Sequence, residues 1–179
     1  MLENEPATVR EYHRASMANP GWPDDFDDVK AGVGCEICSQ NRGVDDNPYV
    51  PLIFAGEHSD AFLQRRGFGR GYTVVVRRGD RHIADPTELS EQEAAGCWRE
   101  VMVVARALEL TYQPLKMNVM RLGNQLPHVH THLVPRYRDD PDAGGPPEFD
   151  DDAPPRDEQE IQKEALVLRR VIDPDGGAT

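Results

Sequence analysis

The chain has 179 residues, close to one average domain, and its 32 acidic against 20 basic residues leave a net charge of −12. That excess argues against a nucleic-acid polymer or an anionic membrane as partner, since both are held by clustered Lys and Arg, while a 38% hydrophobic content still supplies one core with some length left as tail. No apolar run approaches the roughly 20 residues that span a bilayer, and the start MLENEPATVR has neither the basic opening nor the apolar stretch of a signal peptide, so a cytoplasmic protein is expected.

In chain order, residues 1–34 are rich in punctuation (Asn19-Pro20-Gly21-Trp22-Pro23, then Asp24, Asp25, Asp27 and Asp28) and predict an irregular arm or one short helix. Tyr49 to Glu57 and Ser59 to Gln64 have the apolar bias of strands, with Gly56 and Glu57 between them as a turn. Gly71 to Arg77 is β-branched and predicts a buried strand. Three strands with short connections imply an antiparallel sheet. After Pro86, Ser90 and Glu93 form a capping box for a helix whose apolar positions Trp98, Val101, Met102, Ala105 and Leu108 recur at three and four, ending near Tyr112. Lys116 to Leu122 alternates as a strand, GNQLP is a turn, and His128 to Val134 is a further strand that Pro135 is expected to stop. Beyond Tyr137 the composition turns to Pro, Gly and Asp, a long surface loop. Asp157 to Val171 then predicts a C-terminal helix with acids in its first turn and Arg169 and Arg170 in its last.

Charge is segregated along the chain. From Phe62 to His82 there are six arginines and one acid; from Asp139 to Glu160 there are ten acids and one base. A positive pocket in a negative molecule fits a small anionic ligand better than a polymer, and solvated loops are the plain alternative.

Three of the six histidines fall within five residues, His128-Val129-His130-Thr131-His132. On a strand the alternate side chains share a face, so three imidazoles are expected to line up roughly 6 to 7 Å apart. Imidazole serves as metal ligand, general acid or base, or nucleophile, and the spacing permits all three. Cys35 and Cys38 form a CxxC, whereas Cys97, alone in the main helix, reads as a core residue. In a cytosolic chain a CxxC is redox-active or half of a metal site. His82 after one strand and His128 at the start of another would complete a closed Cys2His2 zinc site of structural type. Redox activity needs a helix opened by the CxxC near a βαβ unit, which SQNRG does not resemble; unmetallated thiols are the remaining alternative.

The segment HVHTHLV, followed by Pro135-Arg136, resembles the motif of the histidine-triad (HIT) superfamily of nucleotide hydrolases and transferases, in its zinc-bearing branch. GYTVVVRRGDRHIADP is similar to the strand and loop leading to that branch's zinc-binding histidine, and CEIC stands at the usual place of its cysteine pair. The resemblance covers Cys35 to Tyr137. It implies an α+β, HIT-like fold: an antiparallel sheet of about five strands with a main helix and a C-terminal helix. The expected organisation is an arm over 1–34, the triad domain over 35–138, and an acidic loop with the C-terminal helix over 139–179.

By position, the resemblance implies that His130 is the nucleophile attacking the α-phosphorus of a nucleotide and that His132 binds phosphate oxygens. Cys35, Cys38, His82 and His128 become ligands of a structural zinc. Phe62, Gln64, Asn118 and Asn124 become candidate substrate contacts, and Gln125 takes the position of a hydroxyl that assists the leaving group. The chain departs from the pattern at three of these places. Tyr72 stands where many members have a histidine. Gln64, eight residues earlier, replaces an Asp or Asn that contacts the ribose, and accepts less strongly than an ionised carboxylate. Gln125 is a poor general acid, which favours leaving groups that need no protonation. Arg65, Arg66 and Arg121 are candidates to hold distal phosphates.

The implied activity is hydrolysis or transfer at a nucleoside phosphoanhydride or phosphoramidate through a covalent nucleotidyl-His130, with a small-molecule nucleotide as partner and a homodimer as assembly. Two alternatives come from other classes. One is a non-catalytic nucleotide sensor that uses the acidic loop as a partner surface. The other is a hydrolase with a catalytic zinc on the histidine cluster, which would need three same-face strand positions to converge to about 2 Å from one metal.

Overall fold

The computed structural model describes residues 21–39, 50–141, 143–149 and 154–174. Short helices α1 (Phe26–Lys30) and α2 (Glu36–Ser39) precede strands β1 (Leu52–Ala55), β2 (Ser59–Leu63) and β3 (Thr73–Arg77). A 3-10 turn at Pro86–Glu88 leads into helix α3 (Glu91–Tyr112), followed by β4 (Lys116–Met120), β5 (His130–Arg136) and helix α4 (Glu158–Ile172). The strands form one antiparallel sheet of order β1-β2-β3-β5-β4. The expected arm is described only from residue 21, Tyr49 lies outside the described residues, and so do 142 and 150–153 of the acidic loop.

Register divides the side chains cleanly between the two faces. Phe62 pairs with Val74, Val74 with His132, and His132 with Met120; Asp60 pairs with Val76 and Val76 with His130. Directly opposed residues share a face, and so do positions two apart on a strand. Phe62, Val74, His130, His132, Asn118 and Met120 therefore occupy one face. Ala61, Leu63, Val75 and Leu133 point the other way and join Val101, Val104 and Leu108 of α3 and Ile161, Ala165 and Leu168 of α4 in the main core. The helices thus cover one side of the sheet and leave the histidines on the other.

Helix α3 starts where the capping box places it, with the Ser90 hydroxyl accepting from the Glu93 amide and the Glu93 carboxylate accepting from the Ser90 amide. Those bonds, helped by Arg77 and Arg81, hold the Glu93 carboxyl down at about 2. Its buried stripe is Cys97, Val101, Val104, Ala105, Leu108 and Tyr112. Trp98, expected inside, is 47% exposed, because Cys97 and Val104 extend the stripe from Val101, Ala105 and Leu108 on the side away from it. Gly96 admits the His58 ring, which a Cβ there would meet at 2.4 Å.

Strand β5 begins at His130 rather than His128, and it passes through Pro135 to Arg136 instead of stopping there. The reason is the edge geometry. Val129 accepts from the Arg77 amide on the β3 side, and Arg136 accepts from Leu115 on the β4 side. Pro135, an even number of positions from Val129, presents its nitrogen toward β3, whose pairing has already ended at Thr73↔Leu133. No ladder donor is lost there.

Candidate functional site

His128, buried just before β5, leaves the other two triad histidines. Its Nδ1 lies 3.5 Å from Sγ of both Cys35 and Cys38, and His82 Nδ1 lies 3.4 Å from Cys38 Sγ. The four ligand atoms sit within 4.8 Å of one another. One bare ring nitrogen has a single in-plane lone pair and cannot accept two thiol protons along it. Bonds of about 2.3 Å to sulfur and about 2.0 Å to nitrogen at a tetrahedral angle put S and N about 3.5 Å apart, close to the spacings present. His128 Nε2, 3.2 Å from the Arg77 carbonyl, donates to it and so leaves Nδ1 bare for a metal. The donor set and its spacing are compatible with zinc. Burial pushes the Cys35 thiol up, as it does Cys97, which lies in the core as expected.

The Cys/His cluster joins three distant pieces of chain. Val29, Cys35 and Ile37 pack together against Val76 and Leu126, and Gly32 lets the backbone pass 3.1 Å from the His82 side chain, measured from where a Cβ would stand. The expectation of three histidines lined up on one strand is corrected accordingly: His128 turns to the cysteines, and only His130 and His132 lie together on the open face.

His130 and His132 are buried, with ring centroids 4.8 Å apart. His130 Nδ1 is 2.6 Å from the His128 carbonyl. A carbonyl only accepts, so Nδ1 carries the proton and a neutral His130 has a bare Nε2. Burial lowers the affinity of both rings for a second proton; His132, which also feels His130, falls to about 3. Both are neutral imidazoles near pH 7.

An aromatic group that the motifs do not announce surrounds His132. The Tyr72 hydroxyl lies 2.7 Å from its Nδ1. Phe68 packs edge-on against Tyr72, His132 and Phe149, at 5.0, 6.3 and 5.2 Å between centroids. Phe149 comes from the acidic segment after β5. Gly67 makes room for it, since a Cβ there would stand 2.4 Å from the Phe149 ring and 2.9 Å from Tyr72. The available signal was a lone aromatic in a Pro- and Asp-rich stretch.

The remaining candidates are placed unevenly. Gln64 is buried on the histidine face, and its amide donates to the Phe62 carbonyl at 3.1 Å; Phe62 is half-buried on the same face. Asn118 shares that face, but its oxygen accepts from Arg136, which also binds Asp140 and the Gly145 carbonyl and so roots the acidic segment. Asn124 and Gln125 are exposed in the turn before β5, and the Gln125 amide donates to the Gly21 carbonyl at 3.0 Å.

The arginine-rich stretch is not a bare approach to phosphate. Arg77 and Arg81 bind Glu93, Arg78 binds Asp60, Arg65 donates to the Arg156 carbonyl, and Arg70 lies over the Tyr112 ring. Arg121 donates to Thr131, which by register points to the helix side.

The HIT domain model matches residues 49–139, just over half the chain. This chain belongs to the HIT family. The HIT protein named "protein hit" from Bacillus subtilis is 28% identical over 90 residues, 48% of this chain and 61% of that relative, so the match spans about three fifths of the relative's length. Among solved structures, a histidine triad protein from Sinorhizobium meliloti superposes with a TM-score of 0.59 at 24% identity, over 67% of this chain and 87% of that one. A zinc-bound histidine triad family protein from Mycobacterium smegmatis gives 0.51 at 24% identity, over 68% and 82%. At that identity the two structures establish the shared α+β HIT-like fold. Among the described residues no helix is long and apolar enough to cross a membrane.

Proposed function

We propose that this HIT protein is a nucleotide hydrolase or nucleotidyltransferase that works through a covalent nucleotidyl-His130, with a structural zinc on Cys35, Cys38, His82 and His128. The observation that carries the reading is the 2.6 Å bond from His130 Nδ1 to the His128 carbonyl, which leaves Nε2 bare on a buried, neutral ring. That is what a nucleophile at phosphorus requires.

In the first step the Nε2 lone pair attacks the α-phosphorus. The P–N bond forms, the bond to the leaving group breaks, and that group departs with the electron pair. Nδ1–H stays on the carbonyl and stabilises the positive charge that the ring acquires. In the second step water or another acceptor hydroxyl attacks phosphorus, the P–N pair returns to Nε2, and the nucleotide leaves with loss of one proton from the attacking oxygen. His132 donates to the non-bridging oxygens, whose charge grows in both transition states. Phe62 and Gln64, on the same face, are the contacts for base and ribose, and Asn124, exposed in the turn before β5, is a further substrate contact. Gln125, engaged with Gly21, meets the leaving group only after exchanging that bond, which again favours leaving groups that need no proton. When bound, zinc would link Cys35 and Cys38 at α2 to His82 and to His128, two residues before β5. The zinc bound to the Mycobacterium smegmatis relative supports that assignment.

The test is a rapid-quench intact-mass measurement on the full chain with dinucleoside polyphosphates, nucleoside phosphoramidates and nucleotide sugars. A mass increase of one nucleotidyl group is expected on the wild type, absent in His130→Gly together with turnover. Turnover that survives in His130→Gly, or wild-type turnover with no adduct at any time, overturns the reading.

A further inference from the structure

His130 and His132 are chemically identical side chains two residues apart, yet the proposed reaction needs one to present a lone pair and the other a proton. The carbonyl of His128 settles the first. We propose that the Tyr72 hydroxyl settles the second: it donates to His132 Nδ1 and so holds His132 as the Nε2–H donor that meets the phosphate oxygens, making Tyr72 a positioning residue. The inference rests on the reading of His130 given above.

The geometry supports a hydroxyl-to-nitrogen bond of that sense. Tyr72 Oη and His132 Nδ1 are 2.7 Å apart, and both residues are buried. The two rings are nearly parallel, 9° between planes, with centroids 5.9 Å apart, so the phenol meets the imidazole chiefly at its edge, where the in-plane lone pair of a bare Nδ1 lies. Only one proton fits between the two atoms. If Nδ1 carried it, the opposite nitrogen of His132 would present a second lone pair beside the bare Nε2 of His130, and two acceptors would face an anionic substrate. With the proton on Tyr72, the adjacent rings offer one acceptor and one donor.

The arrangement is built rather than incidental. Tyr72 precedes β3, and its backbone carbonyl accepts from Gln64, so the phenol lies on the row that flanks His132. Phe68 packs edge-on against Tyr72, and Phe149 buttresses Phe68 from the acidic segment. A phenol carries its proton unambiguously near neutral pH.

The experiment uses the full chain labelled with 15N-histidine, as wild type and as Tyr72→Phe, which keeps the ring and removes only the oxygen. In the wild type at pH 7.5 the His132 signals are expected to show an unprotonated, hydrogen-bonded Nδ1 and a protonated Nε2, and the His130 signals the reverse. In Tyr72→Phe the His132 Nδ1 signal shifts toward the unbonded position, kcat falls about tenfold with KM changed less, and the adduct on His130 still forms. A wild-type His132 protonated on Nδ1, or a Tyr72→Phe protein with unaltered His132 signals and kcat, overturns the proposal. The tautomer pattern is read without substrate, so a failure of the covalent reading, seen as the absent adduct, is distinguished from a failure of this one.

Discussion

Removing the metal should melt residues 21–39 and leave the sheet standing. Fixing a residue's backbone costs roughly 1 kcal/mol or more, on the order of 20 kcal/mol for this stretch. Against it stand the buried side chains of Val29, Cys35 and Ile37, about 1.5 to 3 kcal/mol each and so roughly 5 to 9 kcal/mol together. The Lys30–Asp85 ion pair, half-exposed on both sides, adds at most about 1 kcal/mol. The deficit of roughly 10 to 15 kcal/mol matches the roughly 10 to 16 kcal/mol that a structural zinc site supplies. Hydrogen exchange with mass readout, before and after a strong chelator, is the assay. Amides over 21–39 should lose protection, while those of β2, β3, β5 and α3, whose core is separate, keep theirs. Cys35 and Cys38 should become reactive to a thiol reagent at the same time, with buried Cys97 still protected. Protection of 21–39 that is unaltered after metal is shown to be gone would refute the account, because apolar packing would then suffice on its own.

Two further consequences concern the open face. His132 has a folded value of about 3 against about 6.5 when unfolded, so between those limits the unfolded chain binds the extra proton and stability falls as pH falls. Relative to His132→Asn, the wild type should lose roughly 1 kcal/mol more on going from pH 6 to pH 5 and show no such difference between pH 8 and pH 7.5; parallel urea-denaturation curves across that range would contradict the sign. Gly67→Ala combines a φ of +100° with a Cβ 2.4 Å from the Phe149 ring. It should cost about 1 to 3 kcal/mol by thermal denaturation and displace Phe149, seen as faster exchange over residues 143–149, and an unchanged exchange rate there would show that the segment is not seated on this glycine.

Periodicity, caps and motifs carried much of the architecture because they are local. The capping box at Ser90 and Glu93, the β-branched run of β3 and the acid-to-base gradient of α4 each specify an element within one turn or one strand. The HIT motif and the cysteine pair likewise pointed to the histidines and to the Cys/His cluster that the fold brings together. On α3, Val101, Ala105 and Leu108 are buried as their spacing predicts while Trp98 is exposed, because periodicity alone does not say which edge of a stripe faces the sheet.

Only the tertiary structure decided what each polar side chain meets. His128, His130 and His132 alternate identically along the chain, yet His128 joins cysteines 90 and 93 residues away while the other two stay on the sheet face. The six arginines between Phe62 and His82 carry the charge that composition counts, but Glu93, Asp60, Arg156 and Tyr112 determine where several of them spend it. Tyr72 reaches His132 across 60 residues, and Phe149 returns from beyond β5 to close the aromatic group. Hydrogen bonds and ion pairs act over a few ångströms in space, and the sheet's register sets which distant residues come within that range.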